Sequence, residues 1–178
     1  MGFKKTSETI AISFSLQELG PNTFIQDEIA LQLDVLNNEI FVVVAADLNV
    51  SAPDALAGID TNVRASITTT SQTTLQTIGQ TNTIAESSDN IQAAGFVDGG
   101  VGFSRSASET YTGDVEYISL IATNNFFCQL QGTGNAGTKS AAGRLWGYRA
   151  RADSATYAAL VQSEVLSAWG VHLAIADE

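Results

Sequence analysis

Apolar side chains recur at every second position in several separate stretches of this chain. Ile10, Ile12, Phe14 and Leu16 alternate with Ala11, Ser13 and Ser15, the two-residue period of a half-buried strand. Ile29, Leu31, Leu33 and Val35 continue the pattern against Glu28, Gln32 and Asp34. Asn37-Asn38 follows, a pair that tolerates the positive φ angles of a tight turn. Ile40 to Ala46 is then unbroken apolar sequence rich in β-branched residues, as expected of a strand covered on both faces. The stretch from Glu28 to Val50 therefore predicts a central hairpin, stopped near Pro53, which cannot donate to a ladder.

Further along, Val63, Ala65 and Ile67 predict another strand, which runs into TTTSQTTLQTIGQTNT. Gln72, Gln76 and Gln80 recur there at helical spacing, but the β-branched threonines favour extended structure. The segment reads as a Thr/Gln-rich edge strand or surface loop. Glu86–Asn90 reads as a polar loop, and the glycine-rich Phe96–Phe103 as a short or bulged strand. Glu116–Gln131 repeats the layout of the first hairpin, with Tyr117–Ala122, a turn at Asn124-Asn125, and a return through Phe126-Phe127-Cys128. Leu145–Ala152 sets Trp146, Tyr148, Ala150 and Ala152 against Gly147, Arg149 and Arg151, an aromatic-faced strand with basic residues opposite. Asp153 or Ser154 can cap a helix carrying Tyr157, Leu160, Val161, Val165 and Ala168, with Gly170 as its stop. Val171, Leu173 and Ile175 suggest a last strand. About eight strands and one late helix predict an all-β chain, an antiparallel β-sandwich with one short C-terminal helix. Residues 1–8 form an arm, and 9–178 a single domain.

Composition narrows the function classes. The chain carries 8 Lys and Arg against 19 Asp and Glu, a net charge of −11. Such a surface repels phosphate backbones, so direct nucleic-acid binding is not expected. A single cysteine, Cys128, excludes an intramolecular disulfide and reads as a small buried apolar residue. No apolar run approaches the length of a membrane-spanning helix, and the N-terminus lacks the apolar stretch of a secretory signal. MGFKKT fits the short myristoylation pattern, but reads as a plain terminus.

The sequence offers weak candidates for chemistry. Gly132-Thr-Gly134-Asn-Ala-Gly137 matches the dinucleotide fingerprint, yet the residues after it continue as a strand where the mechanism needs a helix N-terminus. It reads as a flexible loop. His172 is the only histidine, so any Ser-His-Asp or Cys-His constellation must use it; its alternation with apolar neighbours makes it a solvent-facing strand residue. One His and one Cys serve a zinc site poorly, and no calcium loop occurs. Among the carboxylates, Asp27, Glu28, Asp34, Asp47, Asp54, Asp98, Asp114 and Glu116, sequence spacing cannot place a glycosidase pair. No catalytic residue, cofactor or metal is therefore assigned. The densest basic-aromatic group is Arg144, Trp146, Tyr148, Arg149 and Arg151. Alternation separates its aromatics from Arg149 and Arg151, which favours a core strand with a charged outer edge and arginines that meet carboxylates of a neighbouring subunit.

A sandwich of this length, with long loops, one short helix and an N-terminal arm, resembles the single jelly-roll coat proteins of icosahedral viruses. The resemblance covers layout and composition over most of the chain. It implies a jelly-roll-like fold and a structural virion protein without catalytic activity, a coat or decoration subunit of the capsid. Such a subunit works as a homo-oligomer, a trimer or larger shell, assembled in the host cell and released by lysis. In that reading Trp146, Tyr148, Trp169, Phe126 and Phe127 pack the core or contacts. The chain departs from RNA-virus coats in its arm, where Lys4-Lys5 is the whole basic content. That departure implies a shell facing an inner membrane, an already neutralised genome or other virion proteins, rather than bare nucleic acid. The alternative function is a β-sandwich recognition module for a glycan or receptor, with an exposed Trp or Tyr as a stacking platform.

Overall fold

The computed structural model describes residues 2–95, 103–108 and 115–164. In chain order the strands are β1 (Phe3–Lys5), β2 (Ile10–Gln17), β3 (Ile25–Ala30), β4 (Glu39–Val50), β5 (Thr61–Thr68), β6 (Thr83–Gln92), β7 (Phe103–Ser108), β8 (Ser119–Ile121), β9 (Asn125–Thr133) and β10 (Ser140–Ala152). A helix, α1, follows at 154–164. One sheet is centred on β10, with β1 and β2 in succession along one edge, then β4 and β8 on the other side. The other sheet has the order β3-β9-β5-β6-β7. Every ladder is antiparallel. Apart from β1 and β7, β2-β10-β4-β8 faces β3-β9-β5-β6, the winding of a jelly roll.

Between the sheets lies a core that includes Leu16, Phe41, Val43, Val63, Ile67, Phe126, Cys128, Leu130 and Leu145. Phe14 and Phe126 meet edge to face across it, 5.6 Å between centroids. A second cluster covers the outer face of the β10 sheet, where Ile40, Val42, Ala150 and Ala152 pack with Tyr148 and the helical Tyr157, Leu160 and Val161. Ile40, Phe41, Val42 and Val43 are thus all fully buried, as the apolar run predicts. The run then meets a bulge. Trp146 stands opposite Ala45 and Gly147 opposite Val43, leaving Val44 as the extra residue. Because side-chain direction alternates, one extra residue exchanges the faces. Phe41 and Val43 point inward before it, Ala46, Leu48 and Val50 after it, and Asp47 and Asn49 turn outward to solvent.

The two predicted hairpins are not hairpins. β3 pairs with β9, whereas β4 pairs with β10 and β8, so the intervening residues carry the chain from one sheet to the other. The ladder ends at Ala30, and Leu31 and Leu33 stay buried in irregular backbone. A short 3-10 turn at Val35–Asn37 closes on Asn38, which adopts φ 57°. The second Asn-Asn turn likewise joins β8 to β9 across the sandwich. The two corners touch: the Asn124 carbonyl accepts from Leu31 N at 2.9 Å, and its side-chain oxygen accepts from Leu33 N. Asn38 takes the left-handed backbone that its pair tolerates, whereas Asn125, expected in the second turn, opens β9, and in both corners the strand partner is a non-local choice.

Glu86–Asn90, expected as a loop, is the middle of β6, paired with both β5 and β7. Backbone ladders do not require apolar side chains, so a polar strand carries no alternation signal. The Thr/Gln segment is a loop, and it folds back over the outer face of its sheet. There Gln129 and Ser66 are fully buried. Ser66 donates to Gln129 Oε1 at 2.7 Å, Gln129 Nε2 donates to Thr68 and Gln26, and Gln26 Oε1 also accepts from Gln72 N at 2.7 Å. Within the stretch read as an arm, Phe3–Lys5 pair with Ala150–Ala152. The expected C-terminal features at Val165, Ala168, Trp169, Gly170, His172 and Val171–Ile175 lie outside the described residues, as do Asp98, Asp114 and most of the Phe96–Phe103 segment.

Asp153 is the helix cap, its Oδ1 accepting from Thr156 N at 2.7 Å. Those bonds to Thr156 hold its carboxyl below the usual range. At the other described end of α1, Glu164 is buried and its Oε1 accepts from Ala122 N at 2.9 Å. Its Oε2 has no hydrogen-bond partner among the described residues. Burial raises its pKa, against the opposing effect of bonds from Ala122 and Thr123. The folded chain thus favours the protonated carboxyl. Its contribution is complete below the ordinary glutamate pKa and fades as pH rises through the raised folded value. Glu164→Gln, which mimics the neutral form, should match the parent in Tm at acidic pH and gain on it as pH approaches neutrality. A Tm difference that stays constant with pH would show that Glu164 does not titrate in this way.

Candidate interaction surface

The helix covers only half of the outer face of the β10 sheet. On the other half β2, β10 and β4 lie side by side, and their registers set outward residues in rows. Gln17, Ser140 and Ser51 form one row, Ser15, Ala142 and Asn49 the next, then Ser13, Arg144 and Asp47, and last Ala11, Trp146 and Ala45. The central strand supplies small side chains to the floor of two adjoining shallow depressions, of about 360 and 550 Å³, that share Asn49 and Ala142. The alternation of β2 places its serines here because its apolar residues face the core. Asp47 and Asn49 arrive by the face exchange at Val44.

Trp146 stands at one end of this trough, half-buried between two alanines. The Arg144 guanidinium carbon lies over its ring at 5.8 Å from the centroid, and Arg144 Nε donates to Ser13 Oγ at 3.0 Å. The side chains of Ser15, Gln17, Asp47 and Asn49 make no hydrogen bond among the described residues. The outer face of the opposite sheet differs, since its polar groups bond to each other beneath the Thr/Gln loop.

The five residues grouped from sequence do not share one surface. Arg144, Trp146 and Tyr148 point outward, with Tyr148 half-buried in the second cluster and Lys5 Nζ 4.8 Å from its ring centroid. The aromatic face is therefore the outer face of the sheet, and Leu145 occupies the core between the sheets. Arg149 points the other way and is tied within its own chain, donating to the Leu31 carbonyl at 2.9 Å and pairing with Glu39 at 3.5 Å. Arg151 is exposed, with Lys4 and Glu39 as its register partners.

One end of the sandwich is locked by a polar cluster. Glu18 is buried, accepting from Thr23 N at 2.8 Å, Lys139 N at 2.8 Å and Gly132 N at 3.1 Å. Asn135 bonds Asn22, Asp54 N and the Asn62 carbonyl. Asp54 accepts from Ala136 N and Gly137 N at 2.9 and 3.0 Å, and pairs with Lys139 at 2.6 Å. Lys139 and these amides hold its carboxyl below the usual range. The glycine-rich loop read as flexible does bind an anion, the carboxylate of its own Asp54, and no helix begins there.

Each end also exposes an apolar tip. Leu19, before β3, and Leu36, after it, are each 92% exposed. Since β3 spans the sandwich, the two leucines mark opposite ends. Cys128 is fully buried, and burial, with Asp27 nearby, pushes its thiol up to about 12, which leaves it unreactive. Among the described residues no three His, Cys, Asp or Glu side chains gather as metal ligands. No family model matches the chain, and no curated protein shows significant similarity to it.

Proposed function

We propose that this chain is a structural virion protein, a self-assembling capsid subunit of coat or decoration type, built to pack against copies of itself without catalysing a reaction. The observation that carries the reading is the pair of apolar tips at opposite ends of a jelly roll. Leu19 and Leu36 expose nearly their whole side chains and contribute no burial to the fold. A tip at each end gives head-to-tail contacts, which close into rings or shells when the rotation between copies allows. The acidic surface keeps such a shell from gripping bare nucleic acid. Electron microscopy and light scattering of the purified chain test this directly. Closed particles or trimers are expected, and Leu19→Ser with Leu36→Ser should dissolve them while leaving the Tm within about 4 °C, because exposed substitutions change stability by less than ~0.5 kcal/mol each. A stable monomer, or assembly indifferent to both substitutions, would refute it.

A second reading, a recognition module for a glycan or receptor, is favoured by the trough beside Trp146.

A further inference from the structure

We infer that the trough on β2, β10 and β4 is a binding site for a neutral oligosaccharide. The inference rests on the recognition reading and stands whether or not the chain also forms a shell. Its shape comes first. Ser140 to Trp146 spans roughly 20 Å along the strands, and three strands give a width of roughly 10 Å. That is a long, shallow bed for an extended chain of rings, and it does not close around a compact cofactor. The floor is low because Ser140 and Ala142 are small, so a ligand can lie down against the sheet.

The chemistry of the walls comes second. Serine hydroxyls and the Gln17 amide line one side, and Asp47, Asn49 and Ser51 the other. Hydroxyl, amide and carboxylate groups with unused donors and acceptors match the closely spaced hydroxyls of sugars. Trp146, flanked by the small Ala11 and Ala45, supplies the apolar platform on which the C–H face of a sugar ring stacks once the Arg144 guanidinium that lies over its ring swings aside. Arg144 lies at the outer limit of contact with that ring, close enough for its free N–H groups to bond a ligand on the indole.

Charge selects among saccharides. The trough holds one arginine and one aspartate in the same row, which balance locally, while the chain as a whole carries −11. A sulfated or polyuronic chain would be repelled, and so would a phosphate backbone. A neutral oligosaccharide meets no such penalty. On the opposite sheet Ser66, Gln129, Thr68 and Gln26 are instead bonded to one another under the Thr/Gln loop.

The test is a glycan array probed with the parent chain, followed by titration calorimetry with the best free oligosaccharide. Binding to neutral glycans is expected, with at least a tenfold loss of affinity in Trp146→Ala, a smaller loss in Trp146→Phe, and a several-fold loss in Asp47→Ala and Asn49→Ala. Circular dichroism verifies that each variant folds, and Arg151→Ala, outside the trough, should bind like the parent. Array binding that Trp146→Ala and Asp47→Ala leave unchanged would overturn the trough and keep the recognition reading, with its site elsewhere. Binding confined to sulfated or sialylated chains would overturn the neutral ligand class. No binding to any glycan would overturn both.

Discussion

Glu18→Ala is expected to lower the free energy of unfolding by about 3–5 kcal/mol, since it strands two buried and one part-buried N–H group at roughly 1–3 kcal/mol each. Its two carboxylate oxygens are the acceptors for Thr23 before β3, Gly132 near the end of β9 and Lys139 in the connection from β9 to β10. Glu18→Gln separates shape from acceptor capacity. It keeps the side-chain volume but turns one oxygen into an NH2 group that faces an N–H donor. The order of stability should be Glu, then Gln, then Ala, read from urea midpoints at constant slope. A Gln variant as stable as the parent would show that the cluster tolerates a donor there, and that the carboxylate is not what unites the loops.

Gly147→Ala is the second large effect, at about 3 kcal/mol, the upper end of the range for overpacking a filled core. A Cβ on Gly147 would come within 2.3 Å of the Val42 carbonyl oxygen and 2.5 Å of the Phe41 ring. A carbonyl belongs to the ladder and cannot retreat without breaking it. The strain should therefore persist when Phe41 is trimmed: Phe41→Leu with Gly147→Ala should show little compensation in a double-mutant cycle. Full rescue by Phe41→Leu would mean that the ring, and not the backbone, sets the limit. Gly147 lies at the register shift opposite Val44. Loss of that bulge would return Asp47 and Asn49 to the core face, so a variant that loses it should also impair whatever the outer trough binds.

The sandwich was legible because two-residue alternation survives in β2, β5 and β10, and because the run at Ile40–Val43 is apolar on both parities. The helix was legible from Asp153 and the spacing of Tyr157, Leu160 and Val161. Strand partners were not. Asn38 takes the left-handed corner that its side chain suggests and Asn124 holds its corner through bonds to Leu31 and Leu33, yet each corner changes sheet, which only pairing with β9 and β10 decides. β6 was invisible because Ser87, Ser88, Asp89 and Asn90 stay in the ladder through their backbones. The trough was half legible. Trp146 and Arg144 stood out, but Ser13, Asp47 and Asn49 meet them only through the order of β2, β10 and β4. Glu18 left a usable trace: one further step of the Ile10–Leu16 alternation puts it on the inward face, where a carboxylate must find donors.

The central place of β10 in its sheet has a consequence for biosynthesis. Val42 pairs with Tyr148 and Leu145 with Ile12, so β2 has no ladder partner, and β4 only the short β8, until residues 140–152 have been made. At usual elongation rates that delay is on the order of ten seconds. Throughout it the greasiest segment of the polypeptide hangs uncovered. Nascent chains stalled short of residue 140 should therefore cling to chaperone holdases or precipitate, and release should follow abruptly once β10 slides into the gap.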